Sequence, residues 1–141
     1  MNRMEKREET MGDIGLTHVA LSVRDLDTSA DFYERFAGMQ VVHRREGVLW
    51  ISDKTRPFVI VLMESDQISP FGPNGHLGIA CESRETVDRL CEQAQEEQRE
   101  VHGPQDYGPP VGYWAIIRDP DGHSVEFSHG QDVGIAVESA L

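Results

Sequence analysis

Thr17-His18-Val19-Ala20-Leu21-Ser22-Val23 and Gly75-His76-Leu77-Gly78-Ile79-Ala80-Cys81 read as one motif written twice. Each run alternates with period two, as a strand with one buried face does. Each leads into an amphipathic helical stretch. An internal repeat of this size decides the fold before any single element does.

Working outward, Ile14 to Val23 is expected as the first strand. Asp25-Leu26-Asp27-Thr28 supplies turn and cap residues. Ser29 to Phe36 follows as a short helix with Ala30, Phe32, Tyr33 and Phe36 near one face, and Gly38 marks its end. Met39 to Arg44, Val48 to Ser52 and Pro57 to Glu64 read as three more strands. Pro57 belongs at a strand start, where its missing N–H is tolerated. Asp66 to Gly75 carries Ser-Pro, Gly-Pro and Asn-Gly pairs, the signature of a linker or turn.

The second copy opens on His76. Arg84 to Glu97 is its helix, with Val87, Leu90, Cys91 and Ala94 on one stripe. Val101 starts a strand, and Gln105 to Gly112 reads as an exposed Gly/Pro loop. Tyr113 to Arg118 and Ser124 to Ser128 close the copy, joined by the turn Asp119-Pro120-Asp121-Gly122. Each copy is thus strand, helix, strand, strand, strand. The expected organisation is an N-terminal tail over 1–13, one domain over 14–130 and a C-terminal tail over 131–141. Within the domain, 14–66 and 76–130 are the modules and 67–75 the linker.

The bulk properties exclude several functions. At 141 residues with a net charge of −12, the chain lacks the clustered positive charge that nucleic acid or an anionic membrane demands. It has no apolar run of membrane-spanning length. Two cysteines, Cys81 and Cys91, do not make a disulfide framework. They read as small buried hydrophobes in a reducing, cytoplasmic setting. The start is charged and has no apolar core, unlike a secretory signal.

Strand alternation assigns the faces. His18, Ala20 and Ser22 point opposite to Val19, Leu21 and Val23. His76, Gly78 and Ala80 repeat that division. Ser124, Glu126 and Ser128 oppose Val125 and Phe127. The two histidines and the glutamate each fall on the less apolar face of their strand. Two imidazoles and a carboxylate form a facial set with open positions that suits Fe(II), Mn(II) or Zn(II). A lone strand histidine is usually a hydrogen-bonded core residue. Three such groups at repeat-related positions are harder to explain that way.

These residues carry a resemblance. The His18 start followed by Asp25-Leu26 and Phe32-Tyr33, and the Asp119-Pro120-Asp121-Gly122 turn before Glu126, resemble the vicinal oxygen chelate superfamily. That superfamily includes glyoxalase I, extradiol dioxygenases, fosfomycin-resistance transferases and bleomycin-resistance proteins. The resemblance covers Ile14 to Gly130. It implies an α+β fold of two βαβββ modules whose mixed sheets form a cup around a divalent ion (Fe, Mn, Zn or Ni). It implies His18, His76 and Glu126 as ligands, and a homodimer.

Aligning Val59-Ile60-Val61-Leu62 with Ser124-Val125-Glu126-Phe127 puts Val61 where glyoxalase I has a fourth ligand. Ile116 stands where extradiol dioxygenases have a tyrosine. Ala20 and Ser124 stand where fosfomycin transferases hold a phosphonate. Val59, Val61 and Met63, and by resemblance Trp114 and Ile116, are expected to line the substrate cleft. Tyr113 and Tyr107 are candidate acid–base groups, as are His43, Glu46 and His123 by type, with His123 expected at the surface. Gly108 to Gly112 is a candidate gate.

The expected activity is a metal-dependent dioxygenase or a glyoxalase-like lyase or isomerase. Its substrate would be small, largely apolar, and bear vicinal oxygens. The alternatives are a metal-free sequestering protein of the bleomycin-resistance type and a fosfomycin-resistance-like transferase.

Overall fold

The structure, a computed structural model, describes residues 11–72 and 74–140. The expected tail over residues 1–10 therefore lies outside the described residues. The chain divides into two compact units, Met1–Ile68 and Ser69–Leu141. The division falls inside the stretch read as a linker.

The first unit contains β1 (His18–Val23), α1 (Leu26–Ala37), β2 (Gln40–Arg45), β3 (Val48–Ser52) and β4 (Val59–Glu64). Its four strands form one mixed sheet in the order β1-β4-β3-β2, with β1 and β4 parallel. The second unit contains β5 (Leu77–Ala80), α2 (Arg84–Glu96), β6 (Val101–Asp106), β7 (Tyr113–Arg118), β8 (Ser124–His129) and α3 (Val133–Ser139). Its sheet order is β5-β8-β7-β6, with β5 and β8 parallel. Each unit is thus a βαβββ module, and the second carries an extra helix.

The helices explain why each sheet has one dry face. Asp25 caps α1 by accepting from the Thr28 N–H at 2.8 Å. Gly38, left-handed at φ 65°, ends the helix with its N–H on the Glu34 carbonyl. Ser29, Phe32, Tyr33 and Phe36 are its buried residues. Ser83 caps α2 through the Thr86 N–H at 3.1 Å. Val87, Leu90, Cys91 and Ala94 are buried there. Both sets follow the i, i+3, i+4, i+7 spacing of one helical stripe. Under α1 lie Leu21, Leu49, Ile51, Ile60 and Leu62, all buried. Under α2 lie Ala115, Ile117, Val125 and Phe127, each without exposed surface. The edge strands match as well: β2 and β6 both slip register, between Val41 and His43 and between His102 and Gln105. Bulges of this kind are frequent on sheet edges.

Some boundaries differ from expectation. β1 starts at His18 rather than Ile14, and Ile14 and Leu16 are 84% and 87% exposed. The cause is the partner strand. The pairing runs out where Val59 N–H meets the Thr17 carbonyl, because Pro57 has no N–H to continue it. For the same reason β4 begins two residues after Pro57. Gln105 and Asp106 extend β6 into the expected loop. The remainder of that loop is tied down by the Gly112 and Val111 N–H groups on the Gly108 carbonyl. Residues 133–139, expected as tail, form α3, which buries none of its residues. The linker segment packs on its own unit: the Ser124 N–H bonds the Phe71 carbonyl at 2.7 Å.

Candidate functional site

The site is built from the start of β5 and the middle of β8. Parallel pairing sets Gly78 opposite Glu126. A Cβ added to Gly78 would stand 3.9 Å from Glu126 Oε2, so nothing larger separates this strand from the carboxylate. His76 immediately precedes β5. Its Nδ1 lies 2.8 Å from the Asn74 carbonyl oxygen. A carbonyl only accepts, so Nδ1 carries the proton, and in the neutral ring Nε2 presents its lone pair. Nε2 lies 3.9 Å from Glu126 Oε2.

The separation is longer than a hydrogen bond. Two ligands on one ion, bound at roughly 2.0–2.1 Å each, stand roughly 3.0–3.4 Å apart, so a small closure would let both reach it. Glu126 is buried, and the Gln131 amide donates to its Oε2 at 2.9 Å. A buried carboxylate needs such partners to offset its lost hydration. A histidine whose far nitrogen is tied to a carbonyl is the usual outer support of a metal ligand. The donor set of this pair therefore fits a divalent ion.

His18 begins β1 in the other unit, and its Nδ1 lies 3.0 Å from the Thr17 hydroxyl. Both histidines thus engage Nδ1 locally and leave Nε2 for other work. Among the described residues no three His, Cys, Asp or Glu side chains gather as a metal-binding group.

The register fixes the remaining positions. Ala20 pairs with Val61 as Gly78 pairs with Glu126, so Val61 is the first unit's counterpart of the carboxylate. Val59, Val61 and Met63 share the face opposite α1, and together with His18 they line a cavity of about 820 Å³ within the first unit. Trp50, paired with Val61, joins them, and the His43 ring lies 4.7 Å from its ring. Trp50 and His43 were not expected as lining residues. Their pairing through β3 would have revealed them.

In the second unit Ile116 pairs with Glu126, Trp114 with Ser128 and Arg118 with Ser124, on one face of the sheet. His102, Trp114, Ile116 and Arg118 line a smaller cavity of about 360 Å³. The Trp114 indole N–H is buried and has no acceptor among the described residues.

The acid–base candidates separate sharply. Tyr113 alternates onto the α2 face, away from Glu126, and donates a short hydrogen bond to Asp88. The bond to Asp88, with burial second, pushes its phenol up to about 12. Tyr113 is therefore not part of the Glu126 face. Tyr107 is exposed and packs edge-on against Trp114. Glu46 is exposed in the β2–β3 turn. His123 corrects its expectation: it is 1% exposed. Turn tips normally face water, but here the Phe71 segment crosses the turn, and the Phe71 N–H donates to His123 Nδ1 at 2.8 Å. The turn itself is locked by Asp119 Oδ1, which accepts from the Asp121 and His123 N–H groups at 2.9 Å each. Burial raises both thiols, Cys91 to about 11. Neither is a nucleophile at neutral pH.

The likenesses to known proteins bear on the family and the fold. An uncharacterized protein of Pseudomonas aeruginosa is 40% identical over 132 residues, covering 88% of this chain and 94% of its own length. A lactoylglutathione lyase of Neisseria meningitidis is 27% identical over 124 residues, 79% of this chain and 88% of that one. The fold is shared with a fosfomycin resistance protein of Listeria monocytogenes, solved with Mn(II) and sulfate. That likeness has a TM-score of 0.69 at 21% identity and covers 82% of this chain and 90% of that one. Residues 15–127 match a single family, and on that match the chain belongs to the Glyoxalase/Bleomycin resistance protein/Dioxygenase superfamily.

Proposed function

We propose that the protein is a divalent-metal enzyme whose ligands are His18, His76 and Glu126, acting on a small, largely apolar substrate with two adjacent oxygens. The observation that carries this reading is His76 Nε2 lying 3.9 Å from the buried Glu126 Oε2, each supported from behind by Asn74 or Gln131. A divalent ion with open positions supplies Lewis acidity and a template for neighbouring oxygens. The chain's own groups do the rest. The Asn74 carbonyl sets the His76 tautomer. Gln131 orients the carboxylate. Val59, Val61 and Met63 offer an apolar wall that limits water, and the Trp114 N–H is a donor for a substrate oxygen.

The reaction class divides on Val61. The relative of lyase type favours isomerase or lyase chemistry, whereas a three-ligand set with valine at the fourth position favours a dioxygenase. Iron with oxygen uptake on catechols would select the second branch. Nickel or zinc with turnover of a hemithioacetal would select the first.

The test is metal content of protein purified without a metal-affinity tag, measured by plasma mass spectrometry after reconstitution. The wild type is expected to hold a divalent ion at near-equal stoichiometry. His76→Ala and His18→Ala are each expected to lose it while keeping their circular dichroism. An ion retained by His18→Ala removes that ligand, and no ion in any form overturns the enzyme reading. A sequestering module is the second reading, favoured by the first unit's cavity being lined entirely by that unit's own residues.

A further inference from the structure

The cavity of the first unit has a charged rim that its apolar floor does not explain. Arg45, Lys54 and Arg56 line it, with Asp13 as the one carboxylate. This is a positive cluster on a chain of net charge −12 with 13 lysines and arginines in all. Two other arginines of the unit are paired with helix carboxylates. Arg44 bonds Asp27 and Arg35 bonds Asp31, both carboxylates of α1. Among the described residues Arg45 and Lys54 have no carboxylate partner. Arg56 only helps depress Asp53 electrostatically, without an ion pair.

Lys54 and Arg56 stand on the β3–β4 hairpin, which is tightly tied. Asp53 Oδ1 accepts from the Thr55 N–H at 2.9 Å and the Thr55 hydroxyl at 2.6 Å, while the Lys54 N–H donates to Ser52 Oγ at 2.9 Å. Lys54 holds φ 62°, a left-handed backbone where glycine or asparagine is the ordinary choice. A lysine in this backbone conformation, lining a cavity, puts its side chain where a ligand could meet it.

Two ends of the sheet can be told apart. Arg56 and Pro57 lead into β4 beside Val59, the partner of His18. Arg45 pairs with Val48, which pairs with Met63, at the far end. Val59 and Met63 are four residues apart, roughly 13 Å of strand. Between them lie Val61 and Trp50, and Trp50 and Met63 are 37% and 47% exposed.

We infer that this face binds an apolar organic acid, its carboxylate held by Lys54 and Arg56 beside His18 and its body lying over Trp50, Val61 and Met63. Charge complementarity selects this occupant. The inference names the substrate class of the site proposed above and rests on that reading only in taking this face as the substrate wall.

The test is calorimetric titration of the full chain with 2-naphthoate and with neutral 2-naphthamide, in chelator-treated and metal-loaded protein, with metal content measured on the same samples. Naphthoate is expected to bind at least tenfold more tightly than the amide at low salt, with the gap narrowing in 0.5 M salt. The double variant K54Q/R56Q should erase the preference, whereas Arg45→Gln should keep it. Trp50→Ala should weaken both ligands. Thermal melting checks that each variant is folded. Equal binding of acid and amide, or a preference surviving K54Q/R56Q, overturns the inference. Naphthoate binding that weakens as a monomer–dimer equilibrium shifts with protein concentration assigns the face to a second copy and also overturns it. Metal retained alongside any of these failures leaves the proposed metal site standing.

Discussion

β4 and β8 occupy the same position in their units, each paired in parallel to the first strand and antiparallel to the third. Their inner faces are alike: Ile60 and Leu62 on one, Val125 and Phe127 on the other, all buried under a helix. Their outer faces are opposites. β4 presents Val59, Val61 and Met63 to an open cavity. β8 presents Ser124, Glu126 and Ser128, all buried and all polar. The third strands stay apolar on this face in both units and differ only in where the tryptophan stands. Trp50 pairs with Val61 where Ile116 pairs with Glu126, and Val48 pairs with Met63 where Trp114 pairs with Ser128. The helix side of such a module is fixed by packing, since any change of volume there is felt. The other side is free to diverge into chemistry. One copy became an apolar wall and the other a carboxylate platform.

The strongest way to break this comparison is to make the strands alike. Glu126→Val turns the centre of β8 into that of β4. Loss of an outer-shell group alone costs 10–100-fold in metal affinity, so if Glu126 is a ligand as proposed, its loss is expected to exceed about 100-fold. Val61→Ala should leave metal affinity within about threefold, and Gln131→Ala should weaken it by about tenfold. Competition titrations with a chromogenic chelator measure all three. A Val61→Ala protein that loses metal as Glu126→Val does would end the division of roles.

A second contrast lies in the hairpins that enter the third strands. Gly47 precedes β3 at φ 74° with open space where a side chain would go, while Gly112 precedes β7 at φ 81° with His129 O only 2.5 Å from a would-be Cβ. Gly47→Ala meets the left-handed penalty alone, about 1–2 kcal/mol. Gly112→Ala adds a backbone clash, bringing the expected loss to about 2–5 kcal/mol. Urea unfolding of the two variants should rank them in that order. Similar midpoints would mean that the long β6–β7 loop shifts freely, against its bonds to Gly108.

What could be read beforehand follows from what is periodic. Alternation gave the faces of β1, β4 and β8, the resemblance gave that of β7, and the helical stripe gave every buried residue of α2. The match of Val61 to Glu126 needed only the two strand sequences set in line. What escaped was set by contacts that have no period. Gln131 lies beyond β8 in a stretch that reads as tail, and only the folded chain brings its amide to Glu126. His123 looked exposed because its turn has the right residues for a surface, and the Phe71 segment covering it left no mark on spacing. The rim of Arg45, Lys54 and Arg56 comes from a strand end and a hairpin, so no single run displays it. Ile14 and Leu16 fall on the parity of His18 rather than of the buried Leu21 and Val23, and they stay outside β1, because strand pairing is set by the partner as well as by the strand.

The mildest test concerns the helix side, where the copies are supposed to be plain packing. Tyr113 breaks that symmetry. It stands on the face shared with Ala115 and Ile117 and donates to Asp88 of α2, while the Arg84 guanidinium lies 4.8 Å from the centre of its ring. Residue Gly47 holds the matching place in the first unit, so no such bond exists there. Because Asp88 and burial raise the phenol to about 12, Tyr113 stays protonated in the folded protein through a range in which an unfolded tyrosine, near 10, ionises. A group whose folded value is raised contributes stability that is complete below the unfolded value and is lost as pH climbs through the folded one. The wild type should therefore lose stability between about pH 10 and pH 12, beyond the loss seen in Tyr113→Phe. Melting temperatures of the two proteins across that window measure the difference, and ultraviolet absorbance follows the phenolate directly. Parallel curves would mean that Asp88 does not hold the hydroxyl in solution, and that the helix sides of the two modules are as equivalent as their packing.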